Sequence, residues 1–362
     1  MRYATTIGLA AVLACCSAGM IGAEAKTPVV AATVFVRGQN LVVCPSTGPV
    51  WSATVYNTSA KPFAGELKVT FPEGWKTNRT SCTVTLAAGE AKNFDFAIEK
   101  ATDRKSNAYP FILDLTAPGV SVRREQTIVC ATAPYGRPTI DGKADDWKDV
   151  VPISFSGGAE DAPVRVMAFW SKKTFSLCVE VTENALTVCD DPAKAALCDA
   201  LQFSLSPESV LSPAAAPAKT LQRYEYLVLP RKDGVAEVRK LAWVGEAKPE
   251  ATPSSKTPSA FSLLDGAKAT VTREGKLTRY ELSIPLRTMK ALKATTGRVF
   301  GFSLLVHDAA PKSAIRDLGN VMNLLPMHRR VGAWTRLANF PWSPKTKPWT
   351  NRIEFGFSSS IH

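Results

Sequence analysis

Residues 164–181 read VRVMAFWSKKTFSLCVEV, in which a polar turn separates two apolar runs, Val164–Trp170 and Phe175–Val181. β-Branched and aromatic residues dominate both runs, so each is predicted to be a β-strand. Similar short runs recur about every 10 residues over Val29–Cys130 and continue in the second half, as in Tyr224–Pro230. Helical periodicity is missing. The sequence therefore predicts an all-β fold of two antiparallel β-sandwich domains.

Composition limits the classes of protein that the chain can be. Its 362 residues, 45% apolar and 21% charged, are enough for roughly two domains with buried cores, which excludes a mainly disordered chain. The 44 basic and 32 acidic residues give a net charge of +12 without a concentrated basic block. Because no nucleic-acid-binding module accompanies this charge, no nucleic-acid partner is expected.

The N-terminal residues have the pattern of an export signal. Arg2 precedes an apolar run, Ile7–Cys16, and the small-residue site Ala23–Ala25 follows. This order predicts a signal peptide of residues 1–25, a mature chain that begins at Lys26, and a secreted or cell-envelope protein. A competing interpretation makes Cys15 the lipidated residue of a lipoprotein. No later stretch reaches the roughly 18 apolar residues of a spanning helix, so no transmembrane span is expected.

Residues 131–138 (ATAPYGRP) contain two prolines and a glycine between apolar runs, and they are predicted to join the two domains. The predicted domains are residues 26–133 and residues 134–362. Limited proteolysis is expected to separate them as two resistant fragments. Two inserts rich in Pro, Ala and Ser, residues 206–219 and 246–259, are predicted to be surface loops.

Cysteine usage fits an oxidising compartment. Of eight cysteines, two lie in the signal peptide, which leaves Cys44, Cys82, Cys130, Cys178, Cys189 and Cys198. Disulfides are expected rather than metal ligation, with Cys189 and Cys198 as the preferred local pair. Because three cysteines fall in each half, either one thiol in each half stays free or the halves are cross-linked. Buried free thiols are the alternative.

Three short motifs occur in order in the first half: Asn57–Ser59, Pro72–Trp75 and Leu86–Glu90. With these motifs the domain resembles the Ig-like accessory domain found beside glycosidases and carbohydrate-binding modules. The Pro-x-Gly-Trp segment would make a turn that places an indole over one end of the sandwich. The resemblance implies a spacer or support role without chemistry.

Five segments in the second half occur in the order of a second family: Pro138–Trp147, Phe175–Asn184, Cys198–Gln202, Tyr280–Pro285 and Phe300–Asp308. With them this half resembles the family 9 carbohydrate-binding module. The resemblance implies a β-sandwich of jelly-roll type that binds an oligosaccharide or polysaccharide without catalysis. Trp147 is interpreted as a core anchor.

The family holds a terminal sugar between two tryptophans, one of which belongs to a W-x-x-D-x-x-E pattern. This chain has Ala196 at the tryptophan position and Gln202 at the glutamate position. Gln202 and Arg223, on the next predicted strand, are candidates to bond sugar hydroxyls, with a solvated strand face as the alternative. The aromatic candidates are Trp170, Trp334 and Trp342, each of which could instead anchor the core or a loop.

The same family resembles calcium-carrying sandwiches. Glu183, Asn184 and Asp199 are the candidate ligands, and the expectation is a structural Ca²⁺, which takes 6 to 8 oxygens in general. Acids that are simply solvated are the alternative.

No enzyme is expected, because the chain lacks a G-x-S-x-G elbow, an H-E-x-x-H helix and a P-loop, and it contains only three histidines. His307 and Asp308 are adjacent on a predicted strand, so their side chains would point to opposite faces. A haem-binding sandwich is the weaker rival, since no paired His/Met motif is present. The main alternative to sugar binding is an envelope structural or adhesion protein whose sandwich has lost its ligand, as Ala196 suggests. Cell-envelope components would be its partners.

Overall fold

The computed structural model describes residues 33–155, 164–188, 198–207, 223–245, 262–307 and 353–360. The strands in chain order are β1 (Val34–Gly38), β2 (Val50–Asn57), β3 (Phe63–Thr70), β4 (Lys76–Thr77), β5 (Ser81–Leu86), β6 (Ala91–Lys100), β7 (Tyr109–Ala117), β8 (Val120–Ile128), β9 (Thr132–Ala133), β10 (Ile153–Phe155), β11 (Val164–Trp170), β12 (Thr174–Thr182), β13 (Ala200–Ser206), β14 (Tyr224–Pro230), β15 (Ala236–Ala242), β16 (Lys268–Glu274), β17 (Leu277–Pro285), β18 (Val299–His307) and β19 (Ile353–Phe357). The helical segments among these residues are short 3-10 turns, so the predicted all-β class is confirmed. Within the same residues, no helix is long and apolar enough to cross a membrane.

The first half is a sandwich of two four-stranded sheets, with strand orders β1-β2-β6-β4 and β5-β3-β7-β8. Neighbouring strands within both sheets are antiparallel. Alternation along β6 buries Phe94, Phe96 and Ile98 against the facing sheet. Trp51 lies at the centre of this core, and its ring centroid is 4.7 Å from that of Phe111. Packing between the two sheets thus explains the period-2 pattern of the sequence.

The sequence motifs of the first half have structural roles. The indole of Trp75 packs against Tyr109 at a centroid distance of 5.3 Å, after a turn in which Gly74 has a φ of +79°. Asn57 is buried, and its Nδ2 donates to the carbonyl oxygens of Lys61 and Ala87. The Pro72–Trp75 segment therefore makes the predicted turn and packs its indole, while the spacer or support role that the resemblance implies stays a prediction.

The second half is a sandwich of a five-stranded sheet, β10-β11-β12-β17-β16, and a six-stranded sheet, β15-β14-β13-β18-β19-β9. The neighbours are antiparallel except for β19 and β9, which are parallel. Large side chains from both sheets fill the space between them, including Phe175 and Leu177 from one and Phe203, Tyr226 and Phe300 from the other. The prediction of two sandwiches is confirmed.

Trp147 is a core anchor, as predicted, with 1% of its surface exposed. Its Nε1 donates to Oε1 of Glu281 at 3.1 Å, and Oε2 of the same carboxylate accepts the backbone N–H groups of Asp141 at 3.1 Å and Gly142 at 2.8 Å. One buried carboxylate on β17 therefore holds both the Asp-Gly turn and the indole that follows it.

The change from the first core to the second lies at Cys130 and Ala131. Cys130 packs in the first core, whereas Ala131 and Ala133 pack in the second. β9 pairs with β19 of the six-stranded sheet. Thr132–Ala133 thus belongs to the second sandwich by its strand pairing, a few residues before the predicted boundary, and the separability of the halves stays a prediction.

No disulfide links the cysteines of the described residues to one another. Cys189 lies outside the described residues, so its predicted pairing with Cys198 is not described either way.

Candidate functional site

The two faces of the six-stranded sheet differ in chemistry. On β13, Leu201, Phe203 and Leu205 point into the core. The alternate residues therefore point away from it, since successive side chains of a strand lie on opposite faces. We call the polar residues on that opposite side of β13, β14 and β18 the polar face, which consists of Gln202, Ser204, Ser206, Glu225, Ser303 and His307. All six residues are buried.

Gln202 connects three strands of the polar face. Its Nε2 donates to Oε1 of Glu225 on β14 at 2.7 Å, and its Oε1 lies 2.9 Å from Nε2 of His307 on β18. An ionised carboxylate only accepts hydrogen bonds, so the amide nitrogen faces Glu225 and the amide oxygen faces His307. With Glu225 ionised, this orientation of the amide makes Nε2 of His307 the donor of the hydrogen bond to Gln202.

Arg223 extends this chain of hydrogen bonds toward solvent. Its Nε donates to Oε2 of Glu225 at 2.7 Å. The Arg223 side chain is 23% exposed, whereas that of Glu225 is 1% exposed. Burial raises the pKa of Glu225 above its ordinary value, and the charge of Arg223 and the two donated hydrogen bonds partly offset this rise. The sequence prediction that Gln202 and Arg223 lie close together is consistent with this geometry, because both bind the same carboxylate.

Ser204 lies beside this network on β13. In the strand register it stands opposite Glu225 of β14 and opposite Ser303 of β18. Its Oγ is buried and finds no hydrogen-bond partner within the part of the chain that the structure describes. A buried hydroxyl without a partner costs about 1–3 kcal/mol.

The assignment of Trp170 as a sugar platform is corrected by the structure. Only 6% of Trp170 is exposed. Its indole packs edge-on against Tyr135 and against Phe357, with centroid distances of 5.1 and 5.2 Å, and its Nε1 donates to the carbonyl oxygen of Ser358. The side chain at the end of β11 points into the core, so it cannot receive a sugar ring. Trp334 and Trp342 lie outside the described residues.

The predicted calcium ligands have other partners. Oε1 of Glu183 lies 3.6 Å from Nη1 of Arg273, whose Nη2 also donates to the Glu183 carbonyl oxygen. Asp199 is buried, and its Oδ2 accepts the backbone N–H of Thr187 at 2.6 Å, while Asn184 is exposed. No group of three or more His, Cys, Asp or Glu side chains that could hold a metal occurs among the described residues. The structure thus does not assemble these candidates into a metal site, and calcium stays a prediction.

The sequence interpretation did not predict that Glu225 belongs to the network, nor that His307 donates a hydrogen bond to Gln202. The signal for Glu225 was available: an acid stands between Tyr224 and Tyr226 in an otherwise apolar run. The other residues on its face of the strand, Leu227 and Leu229, are apolar, and an acid on such a face needs a polar partner where the face is buried. The partner, Gln202, follows only from the strand register.

No protein-family model and no curated protein matches the chain. Among solved structures, it is similar to a family 9 carbohydrate-binding module from Caldicellulosiruptor kristjanssonii in complex with glucose, at 13% identity and a TM-score of 0.38, over 63% of this chain and 94% of that one. A structure of such a module from the same organism with cellotriose matches at 15% identity and a TM-score of 0.32, over 49% of this chain and 76% of that one.

A FixG-related protein from Vibrio parahaemolyticus matches 27% of this chain and 94% of its own length, at 15% identity and a TM-score of 0.20.

Proposed function

We propose that the chain is an exported, non-catalytic carbohydrate-binding protein that holds an oligosaccharide or polysaccharide at Arg223, the partly exposed end of the hydrogen-bond network of the polar face. The observation that carries this proposal is the hydrogen-bonded series Arg223, Glu225, Gln202 and His307, in which the buried groups hold Arg223 in place. Planar guanidinium, carboxylate and carboxamide groups can each bond two adjacent sugar hydroxyls.

The network supports binding because its groups are already ordered. Gln202 and Glu225 are fixed by bonds to each other and to their neighbours, so a ligand would not have to immobilise them. Arg223 keeps part of its side chain exposed and would meet the saccharide first. A small rigid site of this kind would give modest affinity, on the order of micromolar to millimolar.

The acid content of the site favours binding over hydrolysis. Most glycosidases use two carboxyl groups on either side of the scissile bond. The polar face contains one carboxyl group, that of Glu225. Its Oε1 accepts a hydrogen bond from Gln202, and its Oε2 accepts one from Arg223.

The second candidate function is an envelope structural or adhesion protein, and one observation favours it. Gln202, Glu225 and His307 already bond one another, so the network could stabilise the sheet without any ligand. The two candidates differ in the role of Arg223: a saccharide would contact its exposed part, whereas a purely structural network would use it only to pair with Glu225.

Calorimetry of the purified mature chain with soluble plant, algal and microbial oligosaccharides, with and without calcium, tests the proposal. Arg223→Ala should raise Kd by about 10-fold or more, because a charge-assisted hydrogen bond is lost. Ser204→Ala should leave binding unchanged and the fold as stable or more stable, since it removes a buried, unsatisfied polar atom. Arg123→Ala, at an exposed arginine of β8 in the other sandwich, is the matched control and should bind like the parent chain.

Two outcomes would contradict the proposal. If no glycan gives heat at millimolar concentration with calcium present, the structural candidate replaces it. If binding occurs but Arg223→Ala binds like the parent chain, the saccharide site lies elsewhere.

Export is part of the proposal and rests on the order of residues in the N-terminal sequence. The mature chain would begin at Lys26 in the secreted or cell-envelope fraction, where envelope components are further candidate partners. Mass spectrometry of the protein from that fraction measures its first residue. A diacylglyceryl group on Cys15 would support the lipoprotein form instead, and intact Met1 would contradict processing.

A further inference from the structure

Two cysteine side chains meet where the chain leaves the first sandwich. Cys130 packs in the first core and is 1% exposed. Cys44 lies just before the 3-10 turn Pro45–Thr47, packs against the same core and is partly exposed. The two thiols share a side-chain hydrogen bond. They are therefore directed at each other, as a disulfide requires.

Backbone contacts independent of the thiols hold the two cysteines in place. Leu41 and Cys130 form a parallel bridge, in which Leu41 donates to the carbonyl oxygen of Val129 at 2.9 Å and accepts the N–H of Ala131 at 2.7 Å. Asn107 binds Cys130 from the other side: its Oδ1 accepts the Cys130 N–H and its Nδ2 donates to the Cys130 carbonyl oxygen, both at 2.8 Å. The position of Cys130 is thus fixed before any covalent bond forms.

We propose that Cys44 and Cys130 form a disulfide in the exported protein by exchange with an external disulfide. In the first step the Cys44 thiolate attacks one sulfur of the external disulfide, and a mixed disulfide forms as one external thiolate leaves. In the second step Cys130 loses its proton, attacks Sγ of Cys44 and displaces the second external thiolate. The two protein thiols are oxidised by two electrons, and the external disulfide is reduced to two thiols.

Exposure and acidity favour this order of steps. The hydrogen bond from the Cys130 thiol lowers the pKa of Cys44, against the opposing effects of its partial burial and of Asp103. The same hydrogen bond, together with burial, raises the pKa of Cys130 well above its ordinary value. Cys44 is therefore the thiol that an external reagent reaches and that ionises first, and Cys130 is the resolving thiol.

The proposed pairing also accounts for the odd number of cysteines in the first half. Cys82 lies on β5, in the sheet β5-β3-β7-β8, and burial raises the pKa of its thiol. Pairing of Cys44 with Cys130 leaves Cys82 as the free thiol of this half. The new bond would tie the Cys44 segment to the point where the chain enters the second sandwich, and would restrict the unfolded chain over a long loop.

The test begins with the full-length mature chain, fully reduced, refolded and exposed to oxidised glutathione. Remaining thiols are alkylated, and tryptic peptides are analysed by mass spectrometry without reduction. The expected product is a cross-link between the peptides of residues 38–68 and 125–143, lighter by two hydrogens than their sum, with Cys82 alkylated in the peptide of residues 80–92. Alkylation of both Cys44 and Cys130, or a link from either to Cys82, would overturn the proposal.

Thermal unfolding provides a second readout with a matched control. Reduction of the oxidised chain should lower its unfolding midpoint by roughly 5–10 °C. Cys44→Ser should lower the midpoint of the oxidised chain by a similar amount and remove this part of the reduction effect. Cys82→Ser should leave the effect of reduction unchanged. A reduction effect as large in Cys44→Ser as in the parent chain would contradict the assignment.

Discussion

The guanidinium of Arg37 on β1 forms an ion pair with the carboxylate of Glu354 on β19, and the two side chains are only 2% and 3% exposed. Oε2 of Glu354 also accepts the backbone N–H of Asn40 at 3.3 Å. β1 belongs to a sheet of the first sandwich and β19 to a sheet of the second. The first and last described strands are thus joined by buried charges across the change of core.

Removing one partner of this ion pair should destabilise the fold strongly, whereas replacing both partners with apolar residues should destabilise it much less. Glu354→Ala leaves the buried guanidinium without its counter-charge and should lower the free energy of unfolding by about 3–5 kcal/mol. The double substitution Arg37→Met with Glu354→Leu should recover most of that loss. Urea unfolding followed by tryptophan fluorescence measures both effects. As a control, Asp114→Ala breaks the exposed pair with Arg123 and should cost less than about 1 kcal/mol. A double variant no more stable than Glu354→Ala would contradict this prediction.

Glu281 should make stability depend on pH in a definite direction. Burial raises its pKa, and the N–H groups of Gly142 and Asp141 partly offset this rise. Because the folded-state pKa is raised, the contribution of Glu281 is fully present below the unfolded-state pKa and is lost as the pH rises through the folded-state pKa. The glutamine introduced by Glu281→Gln does not titrate. The free energy of unfolding of the parent chain, relative to that of this variant, should therefore fall as the pH rises.

Urea unfolding at several values between about pH 4 and pH 7 measures this difference. Glu73→Gln, at an exposed glutamate, is the control and should follow the parent chain at every pH. If the free energy of unfolding of the parent chain instead rises with pH relative to that of Glu281→Gln, the direction of the pKa shift is wrong.

Any side chain at position 142 should destabilise the fold. The φ of Gly142 is +85°, and a Cβ at this position would overlap the methyl group of Thr272. Gly142→Ala should therefore cost about 2–4 kcal/mol of unfolding free energy, from backbone strain plus the overlap. Gly275 has a φ of +58° with open space around it, so Gly275→Ala should cost only the strain, about 1–2 kcal/mol. Equal losses in chemical denaturation would show that the contact with Thr272 is unimportant.

Local sequence predicted the strands well where the pattern was strong. The predicted runs Val164–Trp170 and Tyr224–Pro230 coincide with β11 and β14, because apolar and β-branched residues favour a strand with two buried faces. Leu41–Val43, one of the short apolar runs of Val29–Cys130, contributes only an isolated bridge at Leu41. Its short length did not reveal that its partner is Cys130, where the first sandwich ends, instead of a neighbouring strand.

The sequence by itself determined the all-β class, the division into two cores and the anchoring role of Trp147, because period-2 alternation and turn residues act over a few neighbouring positions. Tertiary structure alone decided which polar residues meet. Gln202 joins Glu225 and His307 through the register of three strands, and Cys44 meets Cys130 across the first sandwich. The same long-range packing places the side chain of Trp170 in the core. Such contacts depend on how distant segments pair, and local propensities carry no information about that pairing.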